Sequence, residues 1–356
     1  MEFGIALPTA ADAWKTVKRA EELGFTHAWF YDTQMLGADC FVAMGAAAVH
    51  TSRIRLGTGV LIPSNRIAPV TANGFASLNQ LAPGRIDFGV GTGFTGRRTM
   101  GLGAIKLSEM EEYIRVVMGL LDSQTVEFQV EGKRQKIAFL NPELELINLR
   151  DPVGLHISAY GPRARALTAK LGAGWLNFVG EVAGGVAAMQ AMQKSWTDAG
   201  RSVGDLTAVA FALGCILEPN EPLDSDRAIA QAGPRAAVLL HRAADEALAG
   251  LPNTSPVPAS VAEPVAAYVE LAKTYEPADA RYLENHRGHL MAVKPRERPF
   301  VTAEMIRQTT FTGTEPDLLD RIAALADAGY TQFTIQLVPG QEAAIEDWGR
   351  LKAKFR

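Results

Sequence analysis

The chain has 356 residues, is 47% hydrophobic and carries a formal net charge of −4. That much apolar material can bury one large α/β core or two smaller ones, while the mildly acidic balance leaves no polybasic face for nucleic acid or anionic lipid. Cys40 and Cys215 are the only cysteines; they lie in no CxxC or Cys/His spacing, which argues against a disulfide framework or structural zinc and points to a reducing cytoplasm. The start, MEFGIALP, enters a strand with no basic leader, and no apolar run reaches the roughly 18 residues of a membrane span.

Taken in chain order, apolar strands and amphipathic helices alternate. A strand at Phe3–Leu7 precedes a helix at Asp12–Leu23, and a strand at His27–Tyr31 precedes a helix around Phe41–His50. Strand Ile54–Leu61 with helix Pro69–Leu81, then strand Ile86–Gly91 with helix Ser108–Leu121, extend the pattern. From about Thr125 to Asp151 a polar, β-prone stretch around Glu131-Gly132-Lys133 interrupts it and predicts a hairpin. Strands Leu155–Ala159 and Trp175–Val179 bracket a helix at Arg163–Leu171, and a helix at Val186–Ala199 leads to strand Ala208–Leu217. Strand Gln332–Leu337 and helix Glu342–Lys354 come last.

Eight strands, apolar on consecutive residues and followed by helices, predict an all-parallel sheet closed as an α/β fold, the (β/α)8 TIM barrel. Residues 1–356 are then a single barrel domain with a helical insertion, about 218–315, between the seventh and eighth strands. The insertion holds helical patterns at Asp224–Ala249 and Ala262–Tyr275, a Pro-rich link at Leu251–Pro258 and the charged run Lys294–Pro299. Too long for a structureless loop, it is expected to drape over the C-terminal mouth, where barrels keep their function.

The strand ends supply the candidates. Asp32, the first carboxylate beyond the second strand, suits a ligand acceptor or general base, or equally a loop or capping aspartate. His156 on the fifth strand is a candidate proton donor if it faces the interior, and otherwise a hydrogen-bonded core histidine. Gly57 and Gly59 on the third strand, and Gly89 and Gly91 on the fourth, strip side chains from one face and suggest a flat slot for a planar ligand. The Gly89-x-Gly91-x-Gly93 run has the wrong spacing and place for a dinucleotide fingerprint. His286 and His289 sit in an Arg-rich polar segment and are expected to be solvated or salt-bridged, with no metal site. In LHISAYGPRARALTAKLGAGW, the Gly161-Pro162 turn before a helix presents backbone N–H groups to an anion, and Arg163 and Arg165 add charge where the helix dipole would prefer acids.

These residues carry a likeness. LGTGVLIPSNRIAPVTANGFASLNQLAPGRIDFGVGTGF, the SAYGPRA turn with its GAGW sequel, and FTGTEPDLLDRIAALADAGYTQFTIQL resemble the luciferase-like superfamily of flavin- and deazaflavin-dependent oxidoreductases. The resemblance implies a TIM barrel, a homodimer, and a flavin or 5-deazaflavin across the strand C-termini. It implies that Thr58, Gly59 and Val60 line the cofactor, with Gly59-Val60 matching a bond that is a non-prolyl cis peptide in the deazaflavin branch. Thr92 resembles the hydroxyl contact to the ring, and Ser158, Tyr160, Gly161, Pro162 and Arg163 the segment holding the cofactor's phosphate end. Asp32 corresponds to the acid of an Asp-His pair.

Two departures stand out: Thr33 replaces the histidine after that acid, and Phe94 replaces the glutamate that follows GTG in the sugar-phosphate dehydrogenases. They argue against sugar-phosphate oxidation, and Thr33 weakens the monooxygenase assignment as well, since luciferase-type monooxygenases also tend to carry a histidine there. The leading expectation is a two-component monooxygenase, in which reduced FMN comes from a separate flavin reductase and, with oxygen, attacks a small organic substrate. The alternative is a reductase or dehydrogenase using coenzyme F420, passing hydride without oxygen, and the third reading is a non-catalytic flavin-binding protein.

Overall fold

The computed structural model describes residues 1–251 and 256–355. Its strands are β1 Glu2–Leu7, β2 His27–Phe30, β3 Arg55–Thr58, β4 Ile86–Val90, β5 Val126–Val130, β6 Lys133–Ile137, β7 Gly154–Ser158, β8 Gly174–Phe178, β9 Ala208–Ala212 and β10 Gln332–Gln336. Eight close a barrel in the order β1-β10-β9-β8-β7-β4-β3-β2, with β5 and β6 apart as the expected hairpin. Every barrel pairing is parallel; β1, for instance, sets Phe3 against Phe333 and Ala6 against Trp29. The hairpin turns at Glu131 and Gly132, both at positive φ (52° and 76°), the geometry a two-residue turn needs to follow the strand twist.

Strand alternation sorts the side chains into two cores. Outward residues such as Phe3, Ile5, Phe30, Leu56, Phe88 and Ile157 pack beneath the helices in the main hydrophobic cluster. Ala6, Trp29, Tyr31, Leu176, Val209 and Phe211 form a separate cluster inside the barrel.

Several boundaries differ from expectation. The strand expected over Ile54–Leu61 stops at Thr58, and the Gly59-Val60 peptide that follows is cis; the ladder resumes only as a bridge between Leu61 and Val90. The strand expected to reach Leu217 ends at Ala212. There the chain returning from the insertion comes in against Gly214, where a Cβ would lie 1.9 Å from the Phe311 carbonyl oxygen. Entrance and exit of the insertion are laced together: Phe311 N–H donates to Leu213 O (2.8 Å), Gly313 N–H to Cys215 O (3.2 Å) and Leu217 N–H to Gly313 O (2.8 Å). A helix expected from Val186 starts at Val182, since the Glu181 carboxylate caps it by accepting from Ala183 and Gly184 N–H.

The insertion is helical as expected, with helices Asp226–Ala249, Ala262–Ala272, Tyr282–Asn285 and Ala303–Thr309 around its own core of Ala232, Ala236, Leu240, Tyr268 and Met305. Part of the Pro-rich link, 252–255, lies outside the described residues. Among the described residues no helix is long and apolar enough to cross a membrane, and no cluster of His, Cys, Asp or Glu could hold a metal ion.

Candidate active site

The glycines of β3 and β4 make room, but not for an empty slot. A Cβ at Gly57 would lie 2.6 Å from the Trp29 ring, one at Gly89 2.0 Å from Thr58 O, and one at Gly91 2.7 Å from Val60 Cγ2. The cleared space therefore holds Trp29 and the bulge that follows β3, which brings Val60 against Gly91 beside Ser158. Thr58 does not offer its hydroxyl to a ligand: it donates to Gly89 O at 2.7 Å and accepts from Gly89 N–H at 3.1 Å, standing in for the ladder where β3 ends.

Asp32 is buried, 3% exposed, and committed to protein partners. Its carboxylate accepts from Ile62 N–H, Asn65 Nδ2 and Arg66 Nη1, each at 3.0 Å. Arg66 also pairs with Asp39, which caps the helix Cys40–His50 through Phe41 and Val42 N–H. The general-base reading thus gives way to the loop reading: Asp32 ties the segment after the bulge to β2.

His156 does face the interior, but it looks onto the acid of β4 and not the mouth. Its Nε2 lies 3.5 Å from Asp87, its ring meets Trp29 edge to face at 5.1 Å, and its Nδ1 is buried without a partner. Asp87 is held by Arg55 at 2.7 and 2.9 Å. Burial pushes the Asp87 carboxyl up, and His156 and Arg55 more than reverse this, leaving it at about 2. Nearby, burial pushes the His27 imidazole down to about 4; Glu2 stands 3.5 Å away, but on the exposed rim, so desolvation outweighs that attraction.

The segment after β7 is open. Trp175 Nε1 anchors Ala159 O at 2.8 Å, and Arg165 donates to Tyr160 O. Tyr160, Gly161, Pro162 and Arg163 are exposed, and a Cβ on Gly161 would meet nothing within 4 Å. Gly161 caps the helix Pro162–Leu171 with no side-chain hydrogen bond, so the first helical N–H groups face free space, as an anion site requires. Thr92 and Ser158 are half-buried at the same end of the barrel. Together with the Val60 bulge, these groups fit a planar cofactor bearing a phosphate.

Above the mouth the insertion contributes what sequence reading missed. His286 and His289 are not solvated; each is 2% exposed. Arg98 pairs with Asp245 at 2.6 Å, and His286 reaches the same carboxylate at 2.9 Å. His289 Nδ1 lies 2.7 Å from His241 Nδ1, and His241 Nε2 lies 2.7 Å from Glu297. Lys294 is 2.8 Å from that glutamate. Burial raises Glu297, but His241 and Lys294 bring it down to about 2; burial lowers both His241 and His289, the latter well below the usual imidazole value. An ionised Glu297 accepts a hydrogen bond from Nε2–H of neutral His241, so His241 Nδ1 accepts from His289 Nδ1–H. His289 Nε2, 3.4 Å from Thr95 Oγ1, is left as an acceptor turned toward the loop after β4. A second tie, Tyr31 Oη to Gln336 at 2.8 Å and Gln336 Nε2 to Leu290 O at 2.6 Å, fastens the insertion to the barrel rim.

A closed parallel barrel with a bulge and an open helix N-terminus at its mouth defines the chain as a (β/α)8 TIM-barrel protein. Residues 1–332 match the luciferase-like monooxygenase family, and the chain belongs to it. It is 33% identical over 141 residues to the F420-dependent glucose-6-phosphate dehydrogenase of Beutenbergia cavernae, a match covering 37% of this chain and 40% of that one. It is 25% identical over 337 residues to the 5,10-methylenetetrahydromethanopterin reductase of Archaeoglobus fulgidus, covering 93% and 92% of the two chains. Among solved structures, the coenzyme F420 dependent tetrahydromethanopterin reductase from Methanopyrus kandleri superposes with a TM-score of 0.74 at 21% identity, over 100% of this chain and 99% of that one.

Proposed function

We propose that the protein is a coenzyme F420-dependent oxidoreductase that moves hydride between the deazaflavin and a small organic substrate. The observation that carries this is the open N-terminus at Gly161, three residues after the Ser158 that shares Gly91 with the Val60 bulge, in a chain similar to F420-dependent dehydrogenases and methylenetetrahydromethanopterin reductases. The two-component FMN monooxygenase expected from the sequence has less support, and with it the need for a separate flavin reductase. When bound, coenzyme F420 supplies two-electron hydride chemistry that does not call on oxygen.

The chain's own residues do the rest. The N–H groups after Gly161 and the Arg163 charge hold the phosphate end, Val60 supports the ring, and Trp29, Phe178 and Phe211 keep water from the floor. We assign the proton transfer to His289, whose Nε2 would accept from a substrate hydroxyl in oxidation and return the proton in reduction, with His241 and Glu297 orienting the ring. We also place a homodimer contact on the helices Cys40–His50 and Ala68–Leu81, where Val42, Val49 and Val70 are 63%, 61% and 54% exposed.

Fluorescence titration of the apo-protein with coenzyme F420, FMN and anaerobically reduced FMN tests the reading. Selective F420 binding, followed by substrate-dependent turnover without oxygen uptake, is expected. Preference for reduced FMN with oxygen consumption would restore the monooxygenase, and binding of either cofactor without turnover on any substrate class would leave a carrier.

A further inference from the structure

The helix Asp226–Ala249 carries Arg235 and Arg242 seven residues apart, on one face and about 10 Å along its axis. Arg235 Cζ lies 5.2 Å from the centre of the Phe178 ring, and Arg242 Cζ 4.7 Å from that of Phe94. Phe178 ends β8, and Phe94 begins the short helix Phe94–Arg98 after β4, so both guanidiniums look onto the barrel mouth. Each is half-buried, and the Nε of each is sealed from solvent without a hydrogen-bond partner. Among the described residues neither has a carboxylate in ion-pair contact. Asp245, one turn beyond Arg242, is already taken by Arg98 and His286.

Two partly desolvated cations without a counter-ion are costly to the fold. Burial lowers the proton affinity of both, and repulsion from Arg235 helps bring Arg242 down to about 10, which still leaves it charged at neutral pH. Stacking on Phe178 and Phe94 uses the faces of the guanidiniums and leaves their N–H edges free, in the fork that matches a carboxylate or phosphate. Phe94, where sugar-phosphate dehydrogenases have glutamate, thus serves as the platform for a cation.

We propose that Arg235 and Arg242 form an oxyanion subsite in the roof of the mouth that receives a carboxylate or phosphate group of the substrate, making that substrate a small organic anion. The assignment of this anion to the substrate rests on the hydride-transfer reading above. Tyr160, at the turn given to the cofactor's phosphate, is also in electrostatic reach of both arginines, so the cofactor is the competing source of the anion.

The test is calorimetric titration of the apo-protein with inorganic phosphate and with succinate, and separately with coenzyme F420, for wild type, Arg235→Met and Arg242→Met. Wild type should bind at least one oxyanion, and each variant should lose tenfold or more of that affinity while its F420 affinity stays within twofold. Each variant should also melt no lower than wild type, because it removes an uncompensated cation. Oxyanion affinity unchanged in both variants, a melting point lowered by several degrees, or F420 affinity falling in step would each overturn the proposal. The last result would hand the arginines to the cofactor. If the deazaflavin reading alone is wrong, wild type fails to bind F420 while arginine-dependent oxyanion binding persists.

Discussion

Replacing Asp32 by asparagine separates a structural carboxylate from a catalytic one. Asparagine keeps the shape and one acceptor for Ile62 N–H, but it turns an amide toward Arg66 where an anion stood at 3.0 Å. Removing one member of a buried ion pair costs about 3–5 kcal/mol. Arg66 retains Asp39, so the lower end, about 3 kcal/mol, applies. For a chain of this size that is a fall in melting temperature of about 5 °C. Differential scanning calorimetry measures it directly. An unchanged melting temperature with activity down a hundredfold or more would refute the structural assignment and return Asp32 to the chemistry.

Gly161→Leu should abolish cofactor binding without altering the melting temperature, since its Cβ enters free space and its backbone (φ −87°, ψ 162°) suits any residue; retained wild-type affinity in a fluorescence titration would remove the phosphate site from this turn. His289→Gln should lower kcat by about 10²–10⁴ at unchanged F420 affinity, and steady-state kinetics showing less than a tenfold change would dismiss it as the base. Because burial holds the His27 imidazole at about 4 against an ordinary 6.5, the unfolded chain takes that proton first as pH falls. The stability associated with neutral His27 is therefore complete above about 6.5 and declines by about 3 kcal/mol as pH drops toward 4. Urea denaturation at pH 7.5 and 4.5 should show the decline and a shallower one in His27→Gln; identical slopes would count against a desolvated His27.

The barrel was legible because its signal is local. Apolar strands such as Phe3–Leu7, each followed by a helix, recur eight times along the chain. Strand ends were overextended where apolar residues such as Leu61 and Leu217 continue past the regular strand, since hydropathy carries no notice of a bulge or a returning chain. The turn at Gly161 and the helix after it were legible for the same local reason, as one short stretch contains both. Asp32 drew attention correctly, but its three partners lie about thirty residues away, and only the fold says that they use it up. The roof of the site escaped notice because His289, Arg235 and Arg242 gain their meaning from the mouth they cover. One clue was available: two arginines at heptad spacing on the buried side of an alanine-rich helix, where leucine or alanine would be expected.

The three backbone hydrogen bonds that lace Leu213–Leu217 to Phe311–Gly313 have an evolutionary consequence. They bring the two ends of the insertion side by side, so the barrel experiences the whole stretch between them as a short loop, whatever its length or sequence. Selection can then rebuild the roof, moving an arginine or exchanging a helix, without renegotiating the strands or the cofactor floor. A scaffold divided in this way lets one lineage keep a single redox partner while it samples new substrates.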